Sequence, residues 1–230
     1  MTSLPLAEQG VAFLAGLVLL TSFVLLSQTR LVPVIYAFAI QGTCVALVAL
    51  LRGLVDGHGE LLVSALLTFA LKGLCIPWML DRQLGRLALD RNTEVITHQG
   101  LILFAGAALV VFSYWVVLPL AWMASSIHGS VIMISLAVVL LGLLMMVVRH
   151  QAMAQVVGFM AMENGLFLAA VAATGGMPLV VELGIAFDVL LAMVLFGIFF
   201  LRIRENIDTM DVDRLSALSE EGGLIEEQRP

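Results

Sequence analysis

The sequence predicts an all-α integral membrane protein of seven transmembrane helices, with its N-terminus outside and its C-terminus in the cytoplasm. Three observations carry this expectation. Hydrophobic residues make up 61% of 230 positions and charged residues only 12%, with a mean hydropathy of +1.09, far outside the range of a soluble globular domain. Seven apolar runs each approach the ~20 residues a helix needs to cross ~30 Å of hydrocarbon. The arginines, finally, gather on alternate connections, as the cytoplasmic bias of positively charged loops requires.

The first run, Leu6 to Ser27, lacks a basic leader and exceeds a signal-peptide core, so it reads as a retained helix. Leu31 to Leu51 and Leu61 to Leu80 follow, then Gly100 to Leu120, Ser130 to Val148, Gln155 to Thr174 and Leu179 to Leu201. All are continuously apolar rather than alternating, which excludes membrane strands. One side of the membrane collects Arg30, Arg82, Arg86, Arg91, Arg149, Arg202 and Arg204, while the other has Arg52 alone. A multi-pass protein of the bacterial inner membrane is the expected setting.

The connection DRQLGRLALDRNTEVITHQ, Asp81 to Gln99, divides residues 1–99, with three helices, from residues 100–204, with four. Apolar residues recur among its charges, so an interfacial cytoplasmic helix and a solvated loop both fit. Residues 205–230 form an acidic cytoplasmic tail of eight carboxylates against two arginines, which alone accounts for the formal net charge of −6. Anionic lipid repels such a tail, so it extends into solvent or docks on a cytoplasmic protein. IDTMDVDRLSAL mixes apolar anchors with acids and suits docking, whereas SEEGGLIEEQRP reads as disordered.

Cys44 and Cys75 lie inside apolar runs without the spacing of a zinc or iron–sulfur site. His58, His98, His128 and His150 fall in loops or at helix ends, so the paired histidines of a membrane cytochrome are not found. No catalytic, cofactor-binding or metal-ligating residue is expected on this chain, and nucleic acid is not an expected partner.

The chemistry lies in charges placed where hydrocarbon is least tolerant of them. Lys72 is the single lysine, and it sits nine residues from Asp81 and twelve from Glu60, near the bilayer centre. Glu163 and Asp188 fall at similar depth, as does Gln41, eleven residues from both Arg30 and Arg52. Ser64, Thr68 and Lys72 recur at four-residue spacing, so they form one polar stripe, expected to point inward. Pro77 cannot donate to the carbonyl of Gly73, which frees an acceptor beside the lysine. Asn164 adds an amide next to Glu163, and Gly158 permits close helix approach. Glu182, near the outer surface, offers a carboxylate step beyond Asp188.

Two readings of these groups stand. In one, Lys72 and a carboxylate form a static buried pair that locks helix register. In the other, Lys72, Glu163, Asp188 and Glu182 form a proton or ion relay supported by Gln41, Ser64, Thr68 and Asn164, exchanging charge as the site rehydrates. Without repeated halves or paired broken helices, a stand-alone transporter is disfavoured.

The stretch RHQAMAQVVGFMAMENGLFL resembles a helix of the K-type subunit of respiratory complex I and of the C-type subunit of multisubunit sodium/proton antiporters. Arg149, Gly158, Glu163 and Asn164 occupy the matching positions. The family's second membrane glutamate falls on the next helix, where this chain offers Asp188, with Glu182 as the rival. The MENG core, VELGIAFD, IDTMDVDRLSAL and SALLTFALKGLCIPWML together resemble more closely the hydrogenase-4 component E family, of formate hydrogenlyase-type and other energy-converting hydrogenase complexes. That resemblance implies a non-catalytic proton-conducting subunit of a redox complex whose soluble hydrogenase subunits hold the nickel–iron site and iron–sulfur clusters. It implies antiporter-like and membrane-anchor subunits as neighbours in the bilayer. A cation/proton antiporter subunit and a structural scaffold are the alternatives.

Overall fold

The computed structural model describes residues 6–57, 59–87, 99–121 and 126–174. Among them, regular structure is helical throughout: α1 (Leu6–Ser27), α2 (Leu31–Asp56), α3 (Gly59–Thr68), a π-helical segment (Phe69–Cys75), α4 (Ile76–Leu87), α5 (Gln99–Ala121), α6 (Ser126–Val148) and α7 (Ala152–Thr174). The stretch α3–π–α4 is one continuous membrane-crossing rod. Six helices among the described residues are long and apolar enough to cross a bilayer. This is the architecture of an integral membrane protein, and it places the first six predicted spans. The seventh, together with Asp188, Glu182 and the acidic tail, lies outside the described residues.

Two boundaries differ instructively from the sequence reading. α2 runs on to Asp56 and ends with Gly57 in the left-handed conformation (φ 72°), a backbone state that costs glycine least. The connection expected from Asp81 begins instead as unbroken helix, for α4 continues to Leu87. Arg82 stacks on the Trp78 ring at 5.3 Å, one turn earlier, a cation–π contact suited to the membrane interface.

α2 is the hub: it packs against α1, α3, the π segment, α4 and α7, while α6 packs against α1, α5 and α7. α5 is peripheral, exposing Leu101, Phe104, Phe112 and Trp115. In lipid the hydrophobic effect does not drive helices together, so close backbone approach has to. Gly142 and Gly158 provide it between α6 and α7. A Cβ on Gly142 would stand 2.6 Å from the Met162 backbone nitrogen and 2.8 Å from the Gly158 carbonyl oxygen. The close approach expected at Gly158 is therefore present, and it presses α7 onto α6 one turn before Glu163.

At the end of the bundle where α1 turns into α2, the last carbonyls of α1 are capped by distant side chains. Arg149 is buried and donates from Nη2 to the carbonyls of Leu25 and Leu26, each at 3.3 Å, and to that of Gln28. Gln99, at the start of α5, donates to the Ser27 carbonyl. Helix C-termini leave such acceptors unsatisfied and carry partial negative charge, so a guanidinium is well placed there. Gln155 in turn donates to the Arg149 carbonyl at 2.7 Å.

Candidate functional site

Lys72 and Glu163 meet inside the bundle. The lysine Nζ lies 3.2 Å from the glutamate Oε1, with Lys72 1% exposed and Glu163 7% exposed. Of the carboxylates weighed from sequence, Glu163 is the one placed against Lys72 among the described residues. An ion pair removed from water gives up hydration worth several kcal/mol per ion, and only good geometry and further polar contacts offset that loss.

The π segment explains how Lys72 reaches its position. An α-helix would give the Ile76 amide to the carbonyl of Lys72; here that amide bonds to the Leu71 carbonyl, five residues back. Pro77 follows immediately and has no amide to give. The helix accommodates this by taking in one extra residue over the segment, a distortion that tends to occur at functional sites. The freed acceptor expected at Gly73 is thus part of a longer change in register centred on Lys72.

α2 supplies the floor. Gly42 faces Lys72 so closely that a Cβ there would stand 2.9 Å from the Lys72 Cβ and 3.3 Å from its carbonyl carbon and oxygen. Beside it, Gln41 is fully buried and forms the centre of a one-way hydrogen-bond chain. Asn164 Nδ2 donates to Gln41 Oε1 at 3.2 Å, Gln41 Nε2 donates to Ser22 Oγ at 2.8 Å, and Ser22 Oγ donates to the Val18 carbonyl at 2.9 Å. The chain ties α7 to α2 and α1 at the level of the ion pair. Because it ends on a backbone carbonyl, it holds the helices in register without offering an exit for a proton.

The stripe expected on α3 also faces inward: Ser64 and Thr68 are buried with Lys72, while Val63, Leu66 and Phe69 are exposed. The structure therefore brings together Lys72, Glu163, Asn164 and Gln41, with Thr68 and Ser64 leading away along the rod. Sequence reading missed Ser22, which stands beside Thr21 within an apolar run, and the capping role of Arg149. It also missed the π segment, although Gly73 and Pro77 flanking a membrane lysine were the available signal.

The uncharacterized protein Rv0085 of Mycobacterium tuberculosis is 32% identical over 211 residues, covering 90% of this chain and 95% of that protein. Hydrogenase-4 component E of Escherichia coli K12 is 24% identical over 205 residues, covering 89% of this chain and 95% of that protein. The chain belongs to one family with Rv0085 and is a homologue of hydrogenase-4 component E. The protein of the same name from Shigella flexneri matches to the same extent. The similarity spans nearly the whole length of the chain. No protein-family model matches the chain, and no solved structure matches it.

Proposed function

We propose that this hydrogenase-4 component E homologue is a non-catalytic membrane subunit of a multisubunit hydrogenase-like complex, and that it contributes a charged path for proton translocation at mid-membrane depth. The single observation that carries the reading is the buried Lys72–Glu163 pair, set in a π-distorted helix and bridging two separate rods. A relay needs opposite charges that remain ionisable in hydrocarbon and a local backbone able to rearrange. The relay continues through Asp188 on a seventh helix, with Glu182 as its step toward the outer surface. The chain crosses the bacterial inner membrane with its N-terminus outside and its acidic tail in the cytoplasm. Antiporter-like and membrane-anchor subunits flank it, and soluble partners carry the nickel–iron site and iron–sulfur clusters.

Purification of the native complex tests the assembly: nickel–iron and cluster-bearing companions are expected, and a cation/proton antiporter without them would sink the redox assignment. Glu163→Gln tests the path. It is expected to leave the complex assembled while lowering coupled proton movement.

A static register lock is the second reading, favoured by the one-way amide chain and by the seat at Gly42. The double variant Lys72→Met with Glu163→Met separates the two. Replacing either partner alone with an apolar residue, which unlike glutamine keeps no polar contact, strands a buried charge at a cost of about 3–5 kcal/mol, whereas replacing both relieves it. A relay predicts an assembled but uncoupled double variant; a lock predicts one that is assembled and coupled.

A further inference from the structure

We infer that Arg52, Ser64 and Thr68 line a water-filled branch that connects the Lys72–Glu163 pair to the end of the bundle where α2 turns into α3. The inference deepens the proton path just proposed and rests on that reading for its purpose, but the branch stands on its own observations.

Ser64 and Thr68 precede Lys72 by eight and four residues on one continuous rod, so the stripe climbs about 12 Å from the lysine toward that end. Both side chains are buried, and Ser64 Oγ has no hydrogen-bond partner among the described residues. Between Gly42, which meets Lys72, and Gly53, where a Cβ would stand 3.0–3.2 Å from Leu61 and Leu62 atoms, helical spacing puts the buried Ala46 and Ala49 on the same face of α2. That contact sets the level of Arg52, the neighbour of Gly53, beside the first turn of α3. Arg52 is 9% exposed, and its Nε and Nη2 have no partner among the described residues. At the other end of the stripe, Asn164 Oδ1, next to Glu163, is a buried acceptor in the same condition.

A buried hydroxyl or amide left without a partner costs about 1–3 kcal/mol, and a charged group more. Orphans at both ends of a stripe of hydroxyls mark a polar, elongated space of the kind that buried water occupies, since each water needs two to four polar partners. The hydroxyls of Ser64 and Thr68 both donate and accept, so they extend such a file without ending it, unlike the chain through Gln41. Arg52 places a fixed positive charge at its mouth.

Cysteine accessibility tests the branch in the full chain, in sealed membrane vesicles, with Cys44 and Cys75 replaced by alanine. Thiols react as thiolates and only where water reaches them. Ser64→Cys and Thr68→Cys are expected to react with silver ion and with an impermeant charged methanethiosulfonate added on one face. That face is the one from which Gly59→Cys, at the exposed start of α3, is labelled. Leu66→Cys, 71% exposed toward lipid, is expected to react about ten-fold more slowly or not at all. Silent thiols at both 64 and 68, or equal labelling at 66, overturn the branch. The readout is blind to coupling, so a hydrated stripe beside an inert ion pair would label normally while Glu163→Gln left proton movement unchanged.

Discussion

Gly42 seats the backbone of Lys72. With no side chain at position 42, α2 lies against the π segment closely enough that an added Cβ would stand 2.9 Å from the Lys72 Cβ. The lysine can only extend toward Glu163 because the helix behind it carries hydrogen there. The contact also sets the depth of Gln41, the adjacent residue, which fastens α7 through Asn164.

Gly42→Ala is therefore expected to push the two rods apart at the site, with a destabilisation of about 1–3 kcal/mol typical of overpacking. The Lys72–Glu163 contact should lengthen and coupled proton movement should fall. Gly16→Ala is the control, since nothing lies within 4 Å of a Cβ there. Thermal unfolding and coupling measured on both variants check the prediction, which fails if the two behave alike.

Pro77→Ala restores an amide where the helix lacks one, and so favours the return of Phe69–Cys75 to α-helical register. Taking the bulge's extra residue into α-helical register turns the preceding rod by about 100° relative to α4. Lys72 then leaves Glu163. The expected signature is dissociation of two properties: helix stability is maintained or raised, because proline is unfavourable within a helix, while coupling drops. A loss of both together would show that the π segment is required for folding and has no separate role at the site.

Arg149 holds the C-terminal carbonyls of α1 from the turn between α6 and α7. Arg149→Met is expected to lower the unfolding temperature and the yield of assembled protein, because hydrogen bonds to charged groups contribute about 1.5–3 kcal/mol each. Arg149→Lys keeps the charge but not the planar fork, so its recovery should be partial. Gln99→Ala, which removes a neutral donor to Ser27, should cost less than Arg149→Met. Thermal stability in detergent ranks the three, and equal effects would overturn the assignment of Arg149 as the main cap.

Lys72 shows how much of the site was legible beforehand. Counting residues from Asp81 and Glu60 placed it deep in the membrane, and the four-residue spacing of Ser64, Thr68 and Lys72 correctly predicted an inward stripe. Helical periodicity is local, so it survives whatever the helix packs against. Glu163 was singled out by the same count of residues along its apolar run, and Asn164 as its neighbour. Their partners were not legible: nothing in the spacing distinguished Glu163 from Asp188 as the acid at Lys72, or revealed that Gln41 would bond Ser22 on one side and Asn164 on the other. Arg149 was assigned to a solvent-side loop on charge alone, yet the packing of α1 against α6 buries it.

The sequence by itself determined that this chain is built of helices long and apolar enough to cross a membrane, with charges inside the apolar runs, because hydrocarbon imposes length and apolarity on each span independently. Only the tertiary structure decided which charges meet. That outcome depends on rotation and register between rods, set by Gly42 against Lys72, Gly142 against Met162 and Gly158, and the π insertion before Pro77. Those are properties of pairs of surfaces, and a single helix read alone does not contain them.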